Sequence, residues 1–238
     1  MRVRLAFLLT ALAACTEPPS DRMFFTYDDR RLLCAFAIDD YLVGTNWDHL
    51  QARIDDAVAE RWVVNVYAHS PGVTIDPKTL DRAFSMFDAA GLEYLTYPDL
   101  EASDEPRPAV AFGFDDDGVD TWTQIRPLLQ RHRARVTFFV TRFDTFTADQ
   151  RAQLRALADD GHAIESHTLH HVEAATYEGG AQAYYDEEVA PEIEHLRAGG
   201  YSPESFAYPY GSRTEETDAA IGPHVRFMRT TPGGCPYP

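Results

Sequence analysis

The chain has 238 residues and a formal net charge of −17, which argues against nucleic acids and anionic membrane surfaces as binding partners. Its length is sufficient for one domain with a full hydrophobic core and is within the range of a single α/β barrel. We therefore predict no second domain.

Residues 1–20 have the features of a targeting segment. Arg2 and Arg4 precede an apolar run that is too short to span a bilayer. The segment Leu12-Ala13-Ala14-Cys15 resembles a bacterial lipoprotein cleavage site, which implies cleavage before Cys15 and a lipid anchor. Thr16 after the cysteine is typical of lipoproteins of the outer membrane, so we expect a lipid-anchored protein of the cell envelope, on the periplasmic face of that membrane. The alternative is an ordinary secretory signal.

Apolar periodicity alternates between strand-like and helix-like segments, which predicts βα units around a mostly parallel sheet. The predicted strands are Leu32–Ile38, Trp62–Ala68, Glu93–Tyr97, Ala109–Phe114, Arg135–Thr141, His162–Ser166, Ser205–Tyr208 and Val225–Arg229. The predicted helices are Asp48–Glu60, Pro77–Ala90, Asp120–His132, Ala148–Asp160 and Ala181–Ala198. The acidic, proline-containing stretch Asp99–Pro108 is predicted to link two groups of units within one domain, residues 21–238.

Three of the predicted strands lead into segments that contain candidate catalytic or metal-binding residues. Asp115–Asp117, His167–His171 and Pro209–Gly211 each follow a strand directly. In parallel βα folds, functional residues gather where strands end and loops begin. We therefore expect these three segments to lie on one face.

The acidic and histidine-rich segments together predict a metal site. Adjacent carboxylates repel, so Asp115–Asp117 would destabilise the fold unless a cation or a catalytic proton compensates them. His167 and His171 are spaced to share one face of a helical turn. With one carboxylate they make the three-ligand, open-position set of a catalytic metal ion, and a second carboxylate is left to act as a base.

The resemblance to a known family becomes specific at these segments. Ala111–Asp117, Gly161–His171 and Phe206–Gly211 are similar, in order and spacing, to the first three motifs of the polysaccharide deacetylases, carbohydrate esterase family 4. The similarity extends from Ala109 to about Thr231, roughly half of the chain. It implies a distorted (β/α) barrel of about seven units.

The resemblance also implies roles for the residues of the first two motifs. Asp115 falls at the general base, and zinc is the default metal for the ligands Asp116, His167 and His171. Asp117 occupies a position that usually holds glycine. The competing assignment is therefore a shift by one residue, with Asp116 and Asp117 as the functional pair.

The third motif departs from the usual family pattern at one position. Ala207 stands where many members have an arginine that orients the base. Phe206–Gly211 nevertheless resembles the variant found in poly-N-acetylglucosamine deacetylases. The resemblance implies that the backbone N–H of Tyr210 contributes to an oxyanion hole and that Pro209 fixes the turn.

The catalytic acid of the family, a histidine on a late strand, has no counterpart after the third motif, where only His224 remains. Upstream, however, Trp62–Ser70 resembles the strand that carries this acid, at His69, and Ala37–Asp40 resembles the strand whose aspartate, here Asp39, supports it. These similarities imply a circular permutation in which residues 21–105 correspond to the usual C-terminal part and residues 106–238 carry the three motifs. The alternative is that His69 lies in an ordinary strand and the acid has been lost.

Two cysteines, Cys34 and Cys235, remain once Cys15 is assigned to the lipid anchor. They can pair only if the two ends of the mature chain meet in space. The implied permutation brings those ends together, so it makes a disulfide between them geometrically possible; whether the two cysteines pair stays open at the level of the sequence.

The resemblance as a whole implies a metal-dependent hydrolase that removes N-acetyl groups from an N-acetylglucosamine-containing polysaccharide. One alternative is an esterase that removes O-acetyl groups from an acetylated glycan. A second is a non-catalytic glycan-binding lipoprotein of the envelope. In each case the expected partner is a polysaccharide, and the expected membrane contact is the N-terminal lipid alone.

Overall fold

The structure is a computed structural model that describes residues 23–235. The predicted signal peptide and Cys15 lie outside the described residues, so lipidation stays a prediction. Within residues 23–235, none of the helices combines the length and the apolar character that a membrane crossing requires.

One ten-stranded sheet forms the centre of the molecule. Its strands are β1 Phe24–Phe25, β2 Leu32–Cys34, β3 Phe36–Ala37, β4 Val63–Ala68, β5 Glu93–Leu95, β6 Ala109–Asp116, β7 Thr137–Val140, β8 Ala163–Ser166, β9 Ser205–Ala207 and β10 Phe227–Thr230. They are ordered β1-β4-β6-β7-β8-β9-β10-β2, with β3 also paired to β4 and β5 to β6. All pairs of strands in this sheet are parallel except β1 with β4.

A single extended segment nearly closes this sheet into a barrel. Only Ala35 separates β2, which pairs with β10, from β3, which pairs with β4. The N–H of Ala35 donates to the carbonyl of Thr230 at 3.0 Å, and the N–H of Ile38 donates to the carbonyl of Tyr67 at 3.0 Å. The two ends of the sheet are therefore joined through residues 32–38, which confirms the predicted distorted (β/α) barrel.

Helices cover the outside of the barrel. They are α1 Trp47–Glu60, α2 Pro77–Ala89, α3 Val119–Gln124, α4 Arg126–His132, α5 Ala148–Asp159, α6 Gly180–Tyr184, α7 Ala190–Ala198 and α8 Glu215–Ile221. Most were predicted, but the single helix predicted for residues 120–132 is divided at Ile125. Pro127 has no N–H to donate to the preceding turn, which accounts for the break. The short strand β1 and the helix α8 were not predicted.

The predicted helix at 181–198 also contains an irregular segment. A π-helical stretch, Tyr185–Val189, joins α6 to α7. Pro191 lies two residues after it, in the first turn of α7, where its missing N–H leaves the regular pattern of hydrogen bonds incomplete.

The alternation of side chains along β6 determines which residues enter the barrel. Ala109 and Ala111 belong to the interior cluster, whereas Val110 and Phe112 pack in the layer beneath the helices. Because neighbouring side chains of a strand point to opposite faces, Asp115 follows Ala109 and Ala111 into the barrel. The interior is thus apolar in its lower part and becomes charged at the carboxyl ends of the strands.

A disulfide links the first part of the described chain to its last described residue. Cys34, at the end of β2, is bonded to Cys235, and their Cα atoms are 5.9 Å apart. The bond closes a loop across a sequence separation of 201 residues. This is the pairing that the implied permutation made geometrically possible.

We expect Cys34→Ser to lower the free energy of unfolding by about 3 to 5 kcal/mol, because the disulfide restricts the unfolded chain across a long loop. Urea titrations monitored by circular dichroism measure the difference. Cys235→Ser and the double variant should lose the same amount, and all variants should match the wild type under a reductant. Equal stability of oxidised wild type and variants would contradict the predicted contribution.

Candidate active site

A cavity of about 450 Å³ opens at the carboxyl ends of the barrel strands. Its lining includes most of the residues that the sequence singled out: His69, Asp115, Asp116, His167, His171 and Tyr210. They lie at the end of β6 or shortly after the ends of β4, β8 and β9, and these strands are neighbours in the sheet except that β7 separates β6 from β8. The predicted convergence of strand ends on one face is thus observed, while the chemical role of each residue stays a prediction.

Asp115 is buried inside the barrel and is paired with an arginine. Its side chain accepts a hydrogen bond at Oδ2 from Nη2 of Arg229, at 2.5 Å, and the two residues are only 3% and 1% exposed. The Arg229 guanidinium also lies over the rings of Tyr67 and Phe139, 4.5 and 5.2 Å from their centroids. Asp115 Oδ1 is buried and makes no hydrogen bond to any residue in the range 23–235. One oxygen of Asp115 is therefore fixed and the other is available.

Sequence reasoning missed Arg229. The third motif has Ala207 in place of an arginine, but a guanidinium reaches Asp115 from β10 instead. The sequence did contain an indication, since Arg229 lies two residues after Phe227 in the predicted strand Val225–Arg229 and therefore shares a face of the sheet with an apolar side chain. A charge inside such a strand needs a partner of opposite charge.

Asp116 leaves the strand alternation and turns toward the histidines. Its φ of 88° lies in the left-handed region, which is costly for a residue other than glycine. Asp116 Oδ1 is 3.1 Å from Nε2 of His171 and 3.7 Å from Nε2 of His167. Burial opposes ionisation of Asp116, but the contact with His171 and the charges of the neighbouring imidazoles lower its pKa to about 2.

These three side chains form a group that could hold a metal ion. Their ligand atoms all lie within 4.8 Å of one another. Asp116 Oδ1 makes no hydrogen bond to any described residue, so its lone pairs and those of the imidazoles face the same small space. The donor set is a carboxylate and two imidazoles, which fits a divalent ion such as zinc.

His167 is fixed in the form that a metal ligand requires. Its Nδ1 is 2.8 Å from the carbonyl of Ala207, so Nδ1 carries the hydrogen and Nε2 is left with a free lone pair. Burial lowers the pKa of His167 to about 4, which keeps the ring neutral near pH 7.

The local structure around the histidines differs from the prediction. We expected a helical turn, but His167–His171 form an irregular loop after β8, in which Thr168 and His171 have φ values of 71° and 59°. This expectation was wrong, because the N–H of His171 donates to the Thr168 hydroxyl at 3.0 Å instead of to a helical carbonyl. The two imidazoles still meet, with ring centroids 4.9 Å apart.

Two residues next to the ligands point elsewhere. Asp117 is 3.1 Å from the guanidinium of Arg142 and is not part of the cavity lining. His170 is mostly exposed, and its ring and backbone N–H contact Glu188, both at 2.9 Å. The geometry therefore favours Asp115 and Asp116 over the alternative pair Asp116 and Asp117.

His69 reaches the same cavity from β4 and is held by Asp39. Its Nδ1 is 2.8 Å from Oδ2 of Asp39, and its backbone N–H donates to Oδ1 of the same carboxylate at 3.0 Å. Asp39 is fully buried and also accepts a hydrogen bond from the Thr74 hydroxyl at 2.7 Å. Burial alone would lower the pKa of His69, but the hydrogen bond to Asp39 and the charges of Asp115 and Asp116 raise it to about 9.

The turn after β9 forms one edge of the cavity. Tyr210 has a φ of 58°, and its exposed ring packs on His171 with a centroid distance of 4.7 Å. Gly211 follows with a φ of 66°, and a Cβ there would lie 2.1 Å from the Thr231 hydroxyl oxygen. Only glycine fits at this position, and the close packing against Thr231 determines where the Tyr210 backbone lies.

Comparison with known proteins agrees with this fold. The profile of the polysaccharide deacetylase family matches residues 102–223, which is half of the chain. The chain belongs to the polysaccharide deacetylase family. Comparison with curated proteins gives no significant match.

Solved structures of similar fold include a polysaccharide deacetylase from Bacillus cereus, with 18% identity, a TM-score of 0.59, and coverage of 71% of this chain and 57% of that one. IcaB from Ammonifex degensii has 18% identity and a TM-score of 0.58, covering 71% and 84% of the two chains. The deacetylase domain of BpsB from Bordetella bronchiseptica has 16% identity and a TM-score of 0.55, covering 90% and 97%. At these identities the similarity shows the fold, and this chain spans little more than half of the Bacillus cereus protein.

We expect Arg229→Met to lower the free energy of unfolding by about 3 to 5 kcal/mol, because it leaves the buried Asp115 carboxylate without its partner. The double variant Asp115→Asn/Arg229→Met should recover much of this loss, since neither charge then remains. Urea unfolding of the metal-free proteins measures both effects.

The matched control is Arg107→Met, which removes one member of the exposed pair Arg107–Glu93 and should cost less than about 1 kcal/mol. If Arg229→Met is no more destabilising than this control, the buried pair does not have the importance that we assign to it.

Proposed function

We propose that this protein is a metal-dependent hydrolase that removes N-acetyl groups from an N-acetylglucosamine-containing polysaccharide. The observation that carries the proposal is the meeting, in one cavity, of a metal-ligand group, a buried carboxylate and a carboxylate-held histidine. Membership of the polysaccharide deacetylase family supports the same reaction class. The substrate class comes from the resemblance of the third motif.

The metal ion of the proposal would be bound by Asp116, His167 and His171, with zinc as the default for this ligand set. A divalent ion held there would supply Lewis-acid polarisation of the acetyl carbonyl and would lower the pKa of water toward about 7. The remaining chemistry is assigned to groups of the chain itself.

Asp115 is the proposed general base. Arg229 holds its Oδ2, so Oδ1 is the atom that accepts a proton from the attacking water. The ion pair also keeps the carboxylate from rotating, which preserves its alignment with the reacting carbonyl. Arg229 acts through Asp115 and is therefore a positioning residue.

His69 is the proposed general acid. Asp39 holds Nδ1, so Nε2 is the atom that can deliver a proton to the departing nitrogen. A pKa raised to about 9 keeps His69 protonated near neutral pH. This property favours amides over esters as substrates, because an amine leaves only after protonation whereas an alcohol is a better leaving group.

The turn with Tyr210 is proposed to bind the substrate in two ways. Its backbone N–H stabilises the oxyanion that forms at the acetyl carbonyl. Its ring is 64% exposed at the edge of the cavity, where it could stack on a sugar ring. The left-handed conformation of Tyr210 supports this assignment, since strained backbone is often found at functional sites.

We further propose that the chain is circularly permuted relative to most members of its family. The parallel pairing of β4 with β6 supports this idea, because it brings His69, encoded before the first motif, to the cavity that contains Asp115. The proposed location is the cell envelope, through a lipid on Cys15; it rests on the sequence of residues 1–20 alone.

We expect the purified protein to release acetate from N-acetylated chito-oligosaccharides, to lose this activity on treatment with a chelator, and to regain it with zinc. His167→Ala should have no more activity than the chelated enzyme, because a ligand is missing. Asp115→Asn should be slower by about 10²- to 10⁴-fold, the usual contribution of a general base. Enzymatic quantification of acetate measures each rate.

His170→Ala is the matched control, since His170 lies between the two ligand histidines but points to Glu188 and solvent. It should retain wild-type activity. Release of acetate only from O-acetylated oligosaccharides would favour the esterase alternative, and the absence of any metal-dependent release would contradict the proposed function.

A further inference from the structure

A second group of potential metal ligands lies outside the cavity. Asp144, Glu192 and His195 place one ligand atom each within 4.8 Å of the others, and none of the three belongs to the lining of the active-site cavity. Glu192 and His195 are three positions apart on α7 and therefore share one face of the helix. Asp144 belongs to the short turn Phe143–Thr145 that follows β7.

Glu192 has an unusual environment for a carboxyl group. The residue is completely buried, and its Oε1 accepts a hydrogen bond from the N–H of Phe143 at 3.0 Å. Its Oε2 is buried and has no hydrogen-bond partner among residues 23–235. Buried carboxylates are normally paired or bound to a metal ion, so this oxygen lacks the partner that its burial demands.

His195 is directed at the same unpartnered oxygen. Its Nδ1 is 3.9 Å from Oε2 of Glu192, which is too long for a hydrogen bond, and Nδ1 is itself buried without a partner in the described part of the chain. An oxygen and a nitrogen thus lie 3.9 Å apart, and neither has a hydrogen-bond partner among residues 23–235.

The spacing of these atoms is compatible with an ion between them. Ligand atoms around a tetrahedral zinc ion, with bonds of about 2.0 to 2.2 Å, are about 3.3 to 3.5 Å apart. The 3.9 Å separation of Glu192 from His195 needs only a small closure. Asp144 is exposed, so its carboxylate is free to turn toward the other two.

We propose that Asp144, Glu192 and His195 bind a divalent transition-metal ion, of which zinc is the best match, at a structural site separate from the catalytic one. Two carboxylates and an imidazole suit zinc, and the exposed side leaves room for water as a further ligand. The ion fills the space between the buried Oε2 and Nδ1. It also links the turn after β7 to α7.

This link would restrain the two segments that contact Asp117 and His170, which are sequence neighbours of the proposed catalytic metal ligands Asp116 and His171. The turn after β7 begins next to Arg142, whose guanidinium contacts Asp117 at 3.1 Å. On the other side, Glu188 lies four residues before Glu192 and contacts the ring and backbone N–H of His170. The predicted effect of the ion is therefore on stability, whether or not the protein is a deacetylase.

The test distinguishes the two sites with variants of their ligand residues and measures the number of zinc ions bound per chain. After equilibrium dialysis with zinc, mass spectrometry of the wild type should find two ions per chain, and His167→Ala/His171→Ala should retain one. Adding His195→Ala or Glu192→Gln to that double variant should remove the remaining ion. In the double-variant background, zinc at about 100 times its Kd should raise Tm by about 5 to 10 °C, and this rise should disappear with His195→Ala.

Glu194→Gln is the control on the same helix, since Glu194 is largely exposed and pairs with Arg197; it should keep the ion and the rise in Tm. If Glu192→Gln fails to fold, His195→Ala still tests the proposed site. The His195 side chain is 43% exposed and contributes little packing, so this variant should fold. The proposal is overturned if the double variant binds no zinc, or if its remaining zinc is unaffected by His195→Ala and Glu192→Gln.

Discussion

The buried ion pair between Asp115 and Arg229 is the interaction on which the rest of the site depends. It lies inside the barrel, above an apolar interior, and connects the strand of the first motif to the last described strand. An ion pair in such a place contributes little net stability compared with apolar packing, because both charges lose their hydration. Its value is that it fixes one oxygen of the Asp115 carboxylate and so orients the other oxygen beside the candidate metal ligands.

Closure of the barrel positions the hydrogen-bonded pair Asp39 and His69. Asp39 directly follows the segment 32–38 that joins the two ends of the sheet, and His69 lies two residues after Tyr67, the partner of Ala37. The hydrogen bonds between these two residues are therefore a direct consequence of how the barrel closes. The Cys34–Cys235 disulfide fixes the other side of the same segment. Fold closure and the proposed acid thus depend on the same few residues.

Much of this arrangement was predictable because strand alternation and motif spacing are local properties. The eight predicted strands are all present, although β2 and β3 are separate, and the histidines and aspartates converge as expected. Arg229 was missed because its partner is distant in sequence, and no local pattern reports which strand faces Asp115. The helical turn at His167–His171 was wrong because a hydroxyl, that of Thr168, satisfies the backbone N–H in place of a helical carbonyl.

We propose that His69, encoded before the first motif, is the acid of the site that contains Asp115. The most direct test is the pH dependence of kcat/KM for acetate release by wild type and His69→Gln. The wild type should lose activity as the pH rises toward about 9 and His69 loses its proton, with a bound metal ion moving this decline to lower pH. His69→Gln should be slower by about 10²- to 10⁴-fold and lack the alkaline decline. If His69→Gln has the rates of the wild type and the same alkaline decline, His69 is not the acid.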